Sequence, residues 1–204
     1  DFLIAKNRAE GNLAPIYHYL SQPEITEAEA SERFASIAGY TGCPGYIVHM
    51  TCEGALNAVR DNNRHNQKVF AETCIQYLLL DASLYEQNFE GAKWVMSPPL
   101  REKKDQEALW AGINQGLVQV VATDHCPFTW EKKLLGKDDF SKIPNGHPAI
   151  EHRVELLYSE GVRKGRITAN KFVEVLSTNP AKIFGMFPQK GCIAPGSDAD
   201  IVLF

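Results

Sequence analysis

Short apolar runs alternate with longer amphipathic ones along this chain. "GYIVHM" (45–50), "QKVFAETC" (67–74), "AKWVMSPPL" (92–100) and "LVQVVATD" (117–124) are compact and apolar on both faces, as buried parallel strands are. Helical patterns cover 25–42, 53–64, 102–116, 149–162 and 168–185. Thr26 with Glu29 three residues on reads as a capping box, Gly42 as the stop of the same helix, and Gly116 as the stop of the third. Pro98 and Pro99 end the third strand because they cannot donate to a sheet, and Asn179-Pro180 reads as a break before a short second helix. Strands alternating with helices predict a parallel sheet with crossover helices. Four such strands are half of an eight-stranded barrel, and a complete barrel usually takes ~250 residues. The expected fold is α/β, the second half of a (β/α)8 TIM-like barrel over residues 1–190. The tail "GCIAPGSDADIVLF" (191–204) changes character and predicts a return into a truncated β-sandwich, with a strand cut off at Phe204.

Composition narrows the function classes. The 204 residues are 44% hydrophobic and 23% charged, enough for one sizeable core. A formal net charge of −4 without a basic run argues against nucleic-acid binding. No stretch of ~18 apolar residues predicts a membrane span. The five cysteines, at 43, 52, 74, 126 and 192, are scattered and contain no CxxC, so neither a disulfide framework nor a zinc ribbon is expected, and a cytoplasmic setting is the simpler reading. Residue 1 is Asp rather than Met, and the natural start is expected upstream.

Three strands end in a polar group: His49 after "GYIV", Ser97 after "KWVM" and Asp124 after "VVAT". In parallel α/β barrels the C-terminal strand ends surround a common mouth where chemistry sits. Taken alone, His49 reads equally as a hydrogen-bonded structural residue and Asp124 as an Asx-turn residue. Together, an imidazole and a carboxylate suit a divalent metal such as zinc. Cys126 reads as a small buried residue and His125 as a supporting group. "KIPNGHPAIEHR" (142–153) reads as a turn or as a substrate loop, in which the Asn145 amide offers both donor and acceptor to a cyclic imide or amide. Loop 129–141, polar and charged, is expected to be a mobile lid.

The segments "YIVHM", "ETCIQYLLLD", "SPPLR", "VVATDHCPF", "PNGHPAIEHR" and "GCIAPGSDADIVLF" together resemble the hydantoinase/dihydropyrimidinase family of the amidohydrolase superfamily, nearest to bacterial D-hydantoinases and phenylhydantoinases. The resemblance covers nearly the whole chain. It implies a metal-dependent (β/α)8 barrel flanked by a β-sandwich, and two Zn2+ ions bridged by a carboxylated lysine and a hydroxide. It implies that His49 binds one metal, and that Asp124 binds the other and serves as general base and acid. It implies that Ser97, largely through its backbone, and Asn145 contact the imide ring. The implied activity opens hydantoins or dihydropyrimidines to N-carbamoyl amino acids, in a homotetramer or homodimer.

Part of the family's site is not in this sequence. The HxH pair, the bridging lysine, a further ligand histidine and a substrate-contacting tyrosine belong to upstream segments, so the chain is expected to be the C-terminal part of a barrel. His147, Ala149 and His152 depart from the family's usual pattern, and the two histidines read as surface or loop residues. The alternatives are an allantoinase-like ring hydrolase and a metal-free assembly relative such as the collapsin response mediator proteins. Retention of His49 and Asp124 argues against the latter.

Overall fold

A computed structural model describes residues 2–63 and 69–203. Two short helices, α1 (Phe2–Ala9) and α2 (Ile16–Leu20), and the long α3 (Glu24–Thr41) open the chain. Strand β1 (Gly45–Ile47), helix α4 (Glu53–Asn63), strand β2 (Val69–Cys74) and helix α5 (Ile75–Leu79) follow. After two 3-10 segments come α6 (Lys103–Asn114), β3 (Val120–Ala122) and α7 (Trp130–Lys133). The chain then enters α8 (Arg153–Leu156), which widens into a π-helix over Leu157–Val162. Last come α9 (Ala169–Val173), a π-helix over Glu174–Thr178 and α10 (Asn179–Ile183).

The strands form a three-stranded parallel sheet in the order β1-β2-β3, with Ile47 level with Ala71 and Cys74 level with Ala122. All three C-terminal ends therefore point the same way, the arrangement expected of one arc of a barrel. Val69, Ala71, Cys74, Val120 and Val121 are buried, and α4 and α6 cover them with Leu56, Val59, Leu109 and Ile113. Gly42 (φ 69°) and Gly116 (φ 73°) end α3 and α6 in the left-handed region, as their positions in the pattern predict.

The structure corrects several expected elements. Segment 92–100 is not a strand: residues Asn88–Trp94 are 3-10 helical. The Val95 carbonyl is taken by Gly146 N–H at 3.0 Å and by the Lys133 ammonium at 2.8 Å, and Pro98 and Pro99 have no N–H, so no ladder can form there. Helix α3 begins at Glu24 behind Pro23, two residues before the expected cap. Thr26 donates its hydroxyl to the Pro23 carbonyl, while Glu29 pairs with Arg33 instead of capping. The capping box sits on α6, between Glu102 and Asp105. Asn179-Pro180 is not a break: a π-helical segment precedes it, Pro180 sits in the first turn of α10, where its missing N–H costs least, and the helical path runs on to Ile183.

Segment 129–141 is folded rather than loose, with α7, short 3-10 turns and a buried Lys133. The tail 191–203 carries no strand, and Ile193, Val202 and Leu203 are exposed. Asp198 N–H donates to the Gln189 carbonyl at 2.8 Å and Lys190 pairs with Asp198 and Asp200, which folds the tail back on residues 189–190. No helix among the described residues is long and apolar enough to cross a membrane.

Candidate active site at the strand ends

Two predicted ligands share an uncommon backbone. His49 (φ 39°) and Asp124 (φ 46°) each stand two residues beyond their strands, β1 and β3, in the left-handed region. Among the described residues only Asn88 joins them there without being glycine. Such conformations cost of order 1–3 kcal/mol and persist where the surroundings over-determine them, which is typical of functional sites. The turn breaks each strand's alternation and presents the side chain at the mouth. His49 is half-buried, Asp124 is exposed, and neither side chain has a hydrogen bond or ion pair among the described residues. With β2 between them, their strands lie two spacings apart, ~10 Å.

Buried side chains hold the carbonyls beside each candidate residue. Thr73 donates its hydroxyl to the Met50 carbonyl, next to His49, at 2.7 Å. The Gln76 amide donates to the Thr123 carbonyl, next to Asp124, at 2.9 Å. His18, on α2, meets the Met96 carbonyl, next to Ser97, at 2.7 Å. Burial holds the His18 imidazole neutral and lowers its pKa to about 4, against the raising effect of that carbonyl.

Ser97 and Asn145 come together: the Asn145 amide donates to the Ser97 hydroxyl oxygen at 3.1 Å. Their two segments are joined beneath this contact. Gly146 N–H donates to the Val95 carbonyl, and a Cβ on Gly146 would lie 2.2 Å from the Cys126 carbonyl, so only glycine allows this approach. Lys133 reaches the same place, its Nζ donating to the carbonyls of Val95, Pro144 and Gly146 at 2.8, 2.7 and 3.0 Å. Burial lowers its pKa to about 8.

A second network carries the segment that follows His49. Arg101, buried, donates to the Thr51 hydroxyl, the Gln22 carbonyl and the Glu27 carboxylate. Glu27 in turn accepts from the Thr51 N–H at 2.7 Å and from the Thr51 hydroxyl. Helix α3, the turn after β1 and the "SPPLR" segment are thereby fixed to one another.

The remaining histidines and the thiol sort differently. His125 Nδ1 accepts from the N–H groups of Ala149 and Ile150, both at 3.2 Å, which is the supporting role expected of it. His147 is a loop residue, as expected, but a half-buried one: it stacks on Trp94, and desolvation lowers its pKa to about 4. Cys126 is exposed, not buried, because Cys126 N–H bonds the His147 carbonyl and turns the chain along the surface. His152 is exposed near Glu151 and Glu155. Lys133, Gln76, Thr73, His18 and Arg101 carried no signal in the sequence. A lysine among "EKKLLGK" or a glutamine in "CIQYLLL" reads as surface or helix filler until the fold turns it inward.

Among the described residues no group of three or more His, Cys, Asp or Glu converges on one point. The donor chemistry of His49 and Asp124 nevertheless fits a divalent metal. One offers an imidazole nitrogen and the other a carboxylate oxygen, neither hydrogen-bonded nor ion-paired among the described residues.

Residues 29–204 match the Amidohydrolase family. The chain is 48% identical to the D-hydantoinase of Geobacillus stearothermophilus over 206 aligned residues, covering 100% of this chain and 44% of that protein. It is 48% identical to the D-phenylhydantoinase of Escherichia coli strain K12, covering 100% of this chain and 45% of that protein. The fold superposes on the crystal structure of dihydropyrimidinase from Brevibacillus agri with a TM-score of 0.95 at 49% identity, covering 98% of this chain and 44% of that one. The chain thus spans less than half the length of the relatives it matches.

Proposed function

The chain belongs to the amidohydrolase family, and on that premise we propose that it forms part of a cyclic amidohydrolase opening the ring C–N bond of hydantoins or dihydropyrimidines to N-carbamoyl amino acids. The observation that carries this reading is the Ser97–Asn145 contact, 3.1 Å, in a chain whose parallel strands β1 and β3 are followed by an imidazole and a carboxylate, His49 and Asp124, without a hydrogen bond or ion pair among the described residues. A cyclic amide presents an N–H and a C=O side by side. The Asn145 amide and the polar groups of Ser97 supply the complementary donor and acceptor.

His49 and Asp124 would each hold a metal, Zn2+ in this proposal, with the remaining ligands and a carboxylated lysine coming from residues outside this chain. When bound, the metal supplies carbonyl polarisation and makes water acidic near neutral pH. The chain's own residues do the rest. The Asp124 carboxylate takes a proton from the attacking water and returns one to the departing ring nitrogen, as a C–O bond forms and the C–N bond breaks. Ser97 and Asn145 keep the ring at reacting distance.

The test is hydrolysis of hydantoin, dihydrouracil and allantoin by the metal-loaded, full-length protein, with Asp124→Asn alongside. Turnover of hydantoin or dihydrouracil that falls by at least about a hundredfold in the variant supports the reading. Turnover of allantoin alone, or an unaffected variant, overturns it.

A further inference from the structure

We propose that Lys133 is a positioning residue for ring binding, its ammonium setting the Ser97–Asn145 pair through the backbone of the two segments that carry it. The inference rests on the reading above that these two residues contact the ring. An ammonium has three N–H donors, and here each has a carbonyl acceptor. The acceptors are not scattered: Val95 lies two residues before Ser97, while Pro144 and Gly146 flank Asn145.

The side chain is 3% exposed, and a buried ammonium is costly unless its hydrogen bonds are satisfied. No carboxylate pairs with it among the described residues. The groups facing it are the Phe128 ring at 5.6 Å, the Cys126 thiol, and the His18 and His147 imidazoles, which burial keeps neutral. The positive charge is therefore balanced by carbonyl dipoles on the two substrate segments. Removing the ammonium leaves three carbonyls turned toward a common point with nothing between them. They repel, and the segments part. A shift on the order of 1 Å at a substrate-positioning group costs up to ~100-fold.

The experiment compares the metal-loaded, full-length protein with Lys133→Met, which keeps the length and loses the donors, and Lys133→Gln, which keeps an NH2 group. KM and kcat for hydantoin, metal content, and hydrogen exchange of the Gly146 amide are measured on each. The expected result is a KM raised roughly 10- to 100-fold in Lys133→Met with unchanged metal content and faster Gly146 exchange, and an intermediate effect in Lys133→Gln. If the Met variant does not fold, the Gln variant against wild type decides. Lower thermal stability with unchanged KM and unchanged Gly146 exchange marks a merely structural lysine and overturns the proposal. Wild-type protein inert toward every cyclic amide refutes the proposed function instead. In that case Gly146 exchange alone decides whether Lys133 holds the segments.

Discussion

At the scale of single residues, the site stores strain where it needs reach. His49 and Asp124 leave their strands through left-handed backbone that only glycine adopts freely. Asp124→Gly is therefore expected to raise stability by up to ~1 kcal/mol while abolishing turnover; paired urea-unfolding and activity assays check both signs. The Ser97 hydroxyl accepts from the Asn145 amide, so in the proposed site it would position Asn145 even if Ser97 itself met the ring through its backbone. Ser97→Ala removes that acceptor and should lower kcat/KM by about tenfold, the value of one hydrogen bond near 1.4 kcal/mol. A change below twofold would return the contact to the backbone alone. His49 and Asp124 were legible in the sequence as polar residues just beyond apolar strands, and the structure places both there; Ser97 was singled out on the same pattern although its segment is no strand, and Asn145 for its place in a Pro/Gly loop. Lys133 was not, since its burial depends on a fold of 129–141 that its charged composition hides.

At the scale of elements, buried polar side chains join pieces that the sheet alone would leave loose. Arg101 links α3, the turn after β1 and its own segment through Glu27, Thr51 and Gln22. Arg101→Met leaves the Glu27 carboxylate without its partner, and a cost of ~3–5 kcal/mol is expected in denaturant unfolding. His18 anchors α2 against Met96 with a pKa lowered from 6.5 to about 4. The unfolded chain therefore binds the proton first, so this contribution is complete above pH ~6.5 and is lost as pH falls toward ~4. His18→Gln should flatten that loss by at most ~1.4 kcal/mol per pH unit, measured as unfolding free energy against pH.

Most helices and three strands were legible from periodicity at this scale. Two of the misread elements turn on proline, which has no N–H to donate. Segment 92–100 gave its Val95 carbonyl to Gly146 and Lys133, and the helix around Pro180 widened instead of breaking.

At the scale of the molecule, the parallel register turns the strand ends one way but supplies only two of the ligands that the proposed metal site needs. The three strands point their C-terminal ends the same way, yet the described residues hold no group of three or more His, Cys, Asp or Glu side chains around the proposed ligands His49 and Asp124. Two donors from strands ~10 Å apart do not close a tetrahedral zinc site, which takes three or four protein ligands. A polypeptide consisting of these 204 residues alone, 22.7 kDa, should thus lose zinc on dialysis. Within a longer chain that supplies the missing ligands it should keep about two ions per protomer. Elemental analysis with intact mass on the same sample separates the cases. Stoichiometric zinc on the 22.7 kDa species would require ligands beyond His49 and Asp124 within this sequence, and His125 and Cys126, which follow Asp124 directly, with His147, bridged to His125, would be the first to substitute. Zinc held only by the longer chain, and lost on His49→Ala, would place this imidazole in the shell and make the mouth a joint product of both parts of the barrel.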